Sequence, residues 1–150
     1  MRVSELMTTR VHTVPAGTPA SDAWELMRRK QIRHLVVVDG TAIIGLLSDR
    51  DVGGRAGASV RAGRTVDDLM TSKVVSVEPT ETVRSAANLM RGRTIGCLPV
   101  VDRGRVVGII TVSDLLRLVG RGVDRPSPAT RATTHYRVAH RKQHQAPRAW

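Results

Sequence analysis

The chain has no phenylalanine, one tyrosine and two tryptophans, so only 2% of its residues are aromatic. That scarcity excludes a platform on which successive nucleobases stack. A single cysteine, Cys97, excludes an intramolecular disulfide and fits a reducing compartment. It reads as a small buried apolar residue. No group of Cys and His has the spacing of a metal site. No apolar run is long enough to span a bilayer, and Met1-Arg2-Val3-Ser4-Glu5 lacks the apolar core of a secretory signal. The expected location is the cytoplasm, with no membrane partner. Acidic residues are few and unevenly placed. Residues 1–116 hold 16 Lys+Arg and 12 Asp+Glu, whereas residues 117–150 hold 8 Lys+Arg and one acid, Asp124. Most of the net charge of +11 therefore sits in a tail.

What the chain does contain is an internal repeat 63 positions apart. Val3-Ser4-Glu5-Leu6-Met7-Thr8 returns as Val66-Asp67-Asp68-Leu69-Met70-Thr71. Ala23 and Leu26-Met27-Arg28 return as Ala86 and Leu89-Met90-Arg91, and Val37-Val38-Asp39, Gly45 and Asp51 return as Val100-Val101-Asp102, Gly108 and Asp114. No gap is needed between residues 3 and 52, and about a third of the pairs are identical. A fixed-period repeat defines the building unit. A unit of about 50 residues buries too little surface to be stable alone. Two units can pack their apolar faces together, and the seam between them creates two equivalent clefts, which are natural ligand sites.

The patterning predicts an α/β (α+β) fold of two β-α-β-β-α repeats related by a pseudo-two-fold axis. The first repeat with its linker covers residues 1–60, the second 61–120, and a basic, disordered tail 121–150. In the first repeat, strands are expected over Val11–Val14, Leu35–Val38 and Ile43–Leu47, with a turn at Asp39-Gly40. A helix should start at Thr18-Pro19, and Ser48 should open a second. In the other repeat, strands are expected over Val74–Val77, Leu98–Val101 and Arg105–Ile110. Thr80 should cap one helix, Thr111 should start another, and Gly120 should end it. Gly53-Gly54-Arg55-Ala56-Gly57-Ala58 breaks the composition and reads as a linker or a frayed helix end.

The chemistry-bearing motif also occurs twice, as Gly45-Leu46-Leu47-Ser48-Asp49-Arg50-Asp51 and Gly108-Ile109-Ile110-Thr111-Val112-Ser113-Asp114. Each is a glycine, two aliphatics, a hydroxyl residue, two spacers and an aspartate at a strand-to-helix junction. Two readings fit. Ser or Thr followed three residues later by an acid is a capping box, which needs no ligand. The same carboxylate can also accept hydrogen bonds from both hydroxyls of a ribose, with the helix end favouring a phosphate nearby.

With these motifs, the chain resembles a tandem pair of CBS domains over residues 1–119. The supporting phrases are the two leads, the two motifs, and Ile32-Arg33-His34-Leu35-Val36-Val37-Val38-Asp39 with its partner Ile95-Gly96-Cys97-Leu98-Pro99-Val100-Val101-Asp102. The resemblance implies a module that binds adenosine-containing ligands such as AMP, ADP, ATP or S-adenosylmethionine, with no cofactor required. It places the ribose on Asp51 and Asp114 and the motif hydroxyls at Ser48 and Thr111. It places the adenine among Val11, His12, Val74, Val75, His34, Leu35, Cys97 and Leu98. Arg33, His34 and Arg50 are then the phosphate partners, in clefts built from both halves. The family also implies a homodimer formed through helices, here through faces carrying Trp24, Met27 and Met90. Two departures stand out: Val36 replaces the proline kept at Pro99, and Gly53-Gly54 interrupts the helix expected after Asp51.

No catalytic arrangement appears. Ser48 and Thr111 have no base near them in sequence, and nucleophile, base and oxyanion roles cannot be filled together. The leading expectation is a stand-alone regulatory ligand-binding module rather than an enzyme. The alternative is a nucleic-acid or acidic-partner binder acting through the basic tail, with the repeat pair as a dimerisation platform.

Overall fold

A computed structural model describes residues 1–123; the tail reading beyond Val123 lies outside the described residues. The first repeat contains α1 (Val3–Leu6), β1 (Thr13–Pro15), α2 (Ala20–Lys30), β2 (His34–Asp39), β3 (Ala42–Ser48) and α3 (Ala58–Arg61). The second contains α4 (Val66–Leu69), α5 (Val83–Arg93), β4 (Cys97–Asp102), β5 (Arg105–Thr111) and α6 (Val112–Leu118). A π-helical turn over Val119–Val123 extends α6 without a break, so Gly120 is not the expected cap.

Each β hairpin is the centre of its repeat. Strand β2 pairs parallel with β1 and antiparallel with β3, and β4 pairs antiparallel with β5. Both hairpins carry a register shift at the same repeat position, Val37/Val38 and Val100/Val101. The strand expected over Val74–Val77 shrinks to one parallel bridge between Val77 and Val100. Pro99 accounts for this. In the first repeat the Val36 amide donates to the His12 carbonyl at 3.1 Å. Pro99 stands at the matching position and has no N–H to give.

The short leads change sides. Val3 is fully buried in a core with Val77, Ala86, Met90, Leu98, Val100 and Ile110 of the second repeat. Val66 is buried with Val14, Ala23, Met27, Leu35, Val37 and Leu47 of the first. The backbone bonds that hold the leads obey the 63-residue register. The Val3 amide donates to Glu81 and the Val66 amide to Thr18, both at 2.8 Å; Thr8 exchanges two bonds with Ile109, as Thr71 does with Leu46. Each repeat thus completes its core only with the other's lead, which offsets the small burial available to a single unit.

This exchange also explains how the helices start. Thr18 does not cap α2. Its hydroxyl donates to the Pro15 carbonyl at 2.6 Å, the N-cap position is Pro19, and the Ala20 amide donates to Arg64 at 2.8 Å, ahead of the second lead. Helix α5 is capped by Thr82, not Thr80: the Thr82 hydroxyl accepts from the Ser85 amide at 3.0 Å.

The helix expected at Ser48 does not form. Turns occupy residues 49–53, closed by Gly53 N–H to the Arg50 carbonyl and Gly54 N–H to the Asp49 carbonyl, both at 2.9 Å. Gly53 and Gly54 have φ of 83° and 61°, the left-handed region that a helix cannot continue through. Arg61 then ties this segment down. It is buried, stacks over Trp24 at 4.7 Å from the ring centroid, and donates to the Val52 and Gly54 carbonyls at 2.8 and 2.6 Å. Met27 and Met90, expected on exposed helix faces, are core residues, and Trp24 is half-buried. The exposed large apolar side chains among the described residues are instead Met1, Val112, Leu116 and Val119.

Candidate functional site

Both motif aspartates close a local ring with their hydroxyl residue. Thr111 is the last residue of β5 and the N-cap of α6. Its amide donates to Asp114 Oδ2 at 2.8 Å, its hydroxyl lies 3.0 Å from the same oxygen, and the Asp114 amide donates back to that hydroxyl at 3.3 Å. In the first repeat the Ser48 amide donates to Asp51 Oδ2 at 2.8 Å and the Asp51 amide to the Ser48 hydroxyl at 3.2 Å. The capping box is therefore present at both sites, at Ser48 without a regular helix behind it. The second oxygens differ. Asp114 Oδ1 lies 3.4 Å from a guanidinium nitrogen of Arg117. Asp51 Oδ1 has no hydrogen-bond partner among the described residues.

Two clefts open beside these carboxylates, and each is composite. The one at Asp114 encloses about 290 Å³ and is lined by Val11, His12, Arg33 and His34 of the first repeat with Thr111 and Asp114 of the second. The one at Asp51 encloses about 550 Å³ and is lined by Val74, Val75 and Cys97 of the second repeat with Ser48, Arg50 and Asp51 of the first. Arg33, His34, Thr111 and Ser113 border both. Leu98 borders neither, and nor does Leu35. Each is fully buried in its own repeat's core, because neighbours along a strand point to opposite faces and His34 and Cys97 take the cleft side.

Several lining residues have no counterpart in the expected set. Arg10 borders the Asp114 cleft and Lys73 the Asp51 cleft. They are 63 residues apart, so the repeat alignment itself carried a signal: a cation retained at one position of both leads. Arg117 also borders the Asp114 cleft. Its signal was the i,i+3 spacing from Asp114 on a helix.

Burial sets the ionisation of the matched pair His34 and Cys97. Desolvation holds the His34 imidazole below its ordinary 6.5, an effect that Asp49 and Asp51 oppose and Arg33 reinforces. Desolvation, aided by the Asp114 charge, pushes the Cys97 thiol up to about 12. Both groups are neutral near pH 7, and the Cys97 thiol is a poor nucleophile there. No group of His, Cys, Asp and Glu among the described residues could hold a metal ion.

Exchanged leads, two hairpins and a composite cleft at each motif define an α+β module of two pseudo-symmetric repeats. The chain belongs to the CBS domain family, whose model matches residues 3–52 and 66–121. The CBS domain-containing protein YhcV of Bacillus subtilis (strain 168) is 35% identical over 101 residues, 67% of this chain and 72% of that protein. The homoserine O-acetyltransferase of Methanohalobium evestigatum is 30% identical over 101 residues, but the chain spans only 20% of that enzyme's length. Among solved structures, the CBS domain pair of protein MJ0100 in complex with 5′-methylthioadenosine and S-adenosyl-L-methionine is similar with a TM-score of 0.73 and 28% identity, over 81% of this chain and 97% of that one. CBSX2 in complex with AMP is similar with a TM-score of 0.69 and 31% identity, over 80% and 96%.

Proposed function

We propose that this chain is a regulatory module that senses adenosine-containing ligands, AMP, ADP, ATP or S-adenosylmethionine, in its two composite clefts and performs no reaction of its own. One observation carries the reading: each cleft is lined by a motif aspartate, by aliphatic side chains and by a cation from the lead, Arg10 or Lys73. The carboxylate suits a ribose, the wall an adenine, and the cation a phosphate or other anionic group. Complexes of similar CBS pairs with 5′-methylthioadenosine, S-adenosyl-L-methionine and AMP support it. The proposal includes a cytoplasmic location and a homodimer. Among the described residues, Val112, Leu116 and Val119 are exposed apolar side chains on and after α6, while Met27 and Met90 lie in the cores. Light scattering at tens of micromolar tests that part.

The ligand reading is tested by a thermal-shift panel of AMP, ADP, ATP, NADH and S-adenosylmethionine. A ligand at a hundred times its Kd adds about 2.7 kcal/mol to stability, enough for a shift of several degrees. A protein whose melting is unmoved by every compound at millimolar concentration is not an adenosine sensor.

A further inference from the structure

The two clefts are related by the repeat, but their linings differ in charge. His12 borders the Asp114 cleft where Val75 borders the Asp51 cleft; Arg33 and His34 border both, whereas their repeat equivalents Gly96 and Cys97 border only the Asp51 cleft. Arg117 has no counterpart, because the position 63 residues earlier is Gly54. The Asp114 cleft therefore sets Arg10, Arg33 and Arg117 against one carboxylate, and Arg117 already pairs with that carboxylate. Arg10 and Arg33 make no ion pair among the described residues. The Asp51 cleft sets Arg33, Arg50 and Lys73 against two carboxylates, Asp49 and Asp51, beside an apolar wall of Val74, Val75, Ile95 and Cys97.

Resting on the adenosine reading above, we propose that the clefts divide ligands by charge. The Asp114 cleft takes an adenosine ligand with a 5′-phosphate, and the Asp51 cleft takes an uncharged adenosine nucleoside. At the Asp114 cleft the carboxylate is neutralised from within, so an incoming phosphate meets a surplus of guanidinium groups rather than a free acid. Arg10 and Arg117 are exposed, which lets a phosphate sit at the mouth of the smaller cleft while remaining partly hydrated. At the Asp51 cleft Oδ1 is free to accept from ribose hydroxyls, and the lining lacks the basic groups that stand at His12 and Arg117 in its counterpart. An added phosphate would there meet two carboxylates against Arg33, Arg50 and Lys73, a smaller cationic surplus than beside Asp114.

Calorimetric titration of the full chain with adenosine and with AMP tests this. In the double variant Arg10→Ala/Arg117→Ala, AMP binding should weaken about ten-fold or more through loss of charge-assisted contacts, while adenosine affinity stays within about two-fold. Asp51→Asn should reverse the pattern, weakening adenosine about ten-fold or more and leaving AMP within about two-fold. The cations removed are exposed, and urea unfolding of Asp51→Asn is the check that this variant remains folded. If either variant weakens both ligands alike, or if AMP is indifferent to Arg10→Ala/Arg117→Ala, the division is wrong although adenosine sensing stands. If the wild type binds neither compound, the adenosine reading fails and this inference fails with it.

Discussion

A guanidinium nitrogen of Arg117 lies 3.4 Å from Oδ1 of Asp114, and the residue in the matching place beside Asp51 is Gly54. One motif carboxylate thus has a neighbouring cation on its own helix and the other does not. The pair is an i,i+3 contact with Arg117 56% exposed, so screening by water keeps its contribution small. Arg117→Ala should lower stability by less than about 1 kcal/mol in urea unfolding. Asp114→Asn should cost about 1 kcal/mol or more, since it also weakens a cap inside a buried site. Equal losses for the two variants would mean that the Thr111 cap contributes nothing.

Motif glycines Gly45 and Gly108 are packing sites for the exchanged leads. A Cβ on Gly108 would lie 2.5 Å from Met7 Sδ and 3.1 Å from the Thr8 carbonyl; on Gly45 it would meet the Met70 side chain, with Cγ at 2.8 Å. Each Gly→Ala change should destabilise by about 1–3 kcal/mol. Met7→Ala should relieve part of the Gly108→Ala loss but none of the Gly45→Ala loss. A double-mutant cycle by chemical denaturation measures that coupling. Simple additivity of Gly108→Ala and Met7→Ala would contradict the contact.

Arg61 should be among the most sensitive charged positions in the molecule. Arg61→Ala leaves the Val52 and Gly54 carbonyls without their donor and uncovers the Trp24 ring. The expected loss is about 1–4 kcal/mol, from about 1–3 for the stranded acceptors and up to about 1 for the ring contact. Arg61→Lys should recover only part, because an ammonium cannot stack in the same plane. Unfolding curves for the two variants decide the point, and a loss within 0.5 kcal/mol of zero, roughly that of an ordinary surface site, would sink it.

The lowered His34 pKa makes stability fall on the acidic side. Above 6.5 the imidazole is neutral in both states and contributes no pH dependence. As the pH drops below 6.5 the unfolded chain takes up a proton that the folded chain still resists, so unfolding is favoured until the folded-state pKa is passed. His34→Gln should flatten the difference between stabilities measured at pH 7.5 and pH 5, about one unit or more either side of an ordinary His pKa. An unchanged difference would show that other groups set it.

The Cys97 thiol, pushed up to about 12 from 9.0, should react with Ellman's reagent more slowly in the native protein than in urea at pH 8, by roughly thirty-fold or more, because the thiolate fraction falls more than the greater nucleophilicity of a more basic thiolate restores. Burial at 3% exposure slows it further. Rapid native labelling would show that the Asp51 cleft opens widely.

Much of the fold was legible because the periodic signals are local. The β-branched runs of β2 and β4, the apolar spacing of α2 and α5, and the turn after Asp39 all act within a few residues. The failures share a cause. Thr18 as a cap, the strand at Val74–Val77 and the exposed Met27 and Met90 were each judged from neighbours in sequence. Each was decided by a partner far along the chain: residues around Arg64 for α2, Pro99 against Val75, and the opposite lead for the two cores. Gly53-Gly54 were readable as a break, but Arg61 was not readable as the residue that secures it, since an arginine is ordinarily a surface charge.

What the sequence determined by itself is the repeat, and with it the two hairpins, the two motifs and the pairing of Asp51 with Asp114. A 63-residue register forces equivalent residues into equivalent surroundings wherever the two copies agree. What only the tertiary structure decided is which residues meet across the seam. The leads exchange because a unit of about 50 residues cannot bury its own apolar face. That exchange carries Val11 and His12 to Asp114, and Val74 and Val75 to Asp51. Where the copies disagree, at His12 and Val75 or Arg117 and Gly54, the same packing makes two clefts of different charge from one motif.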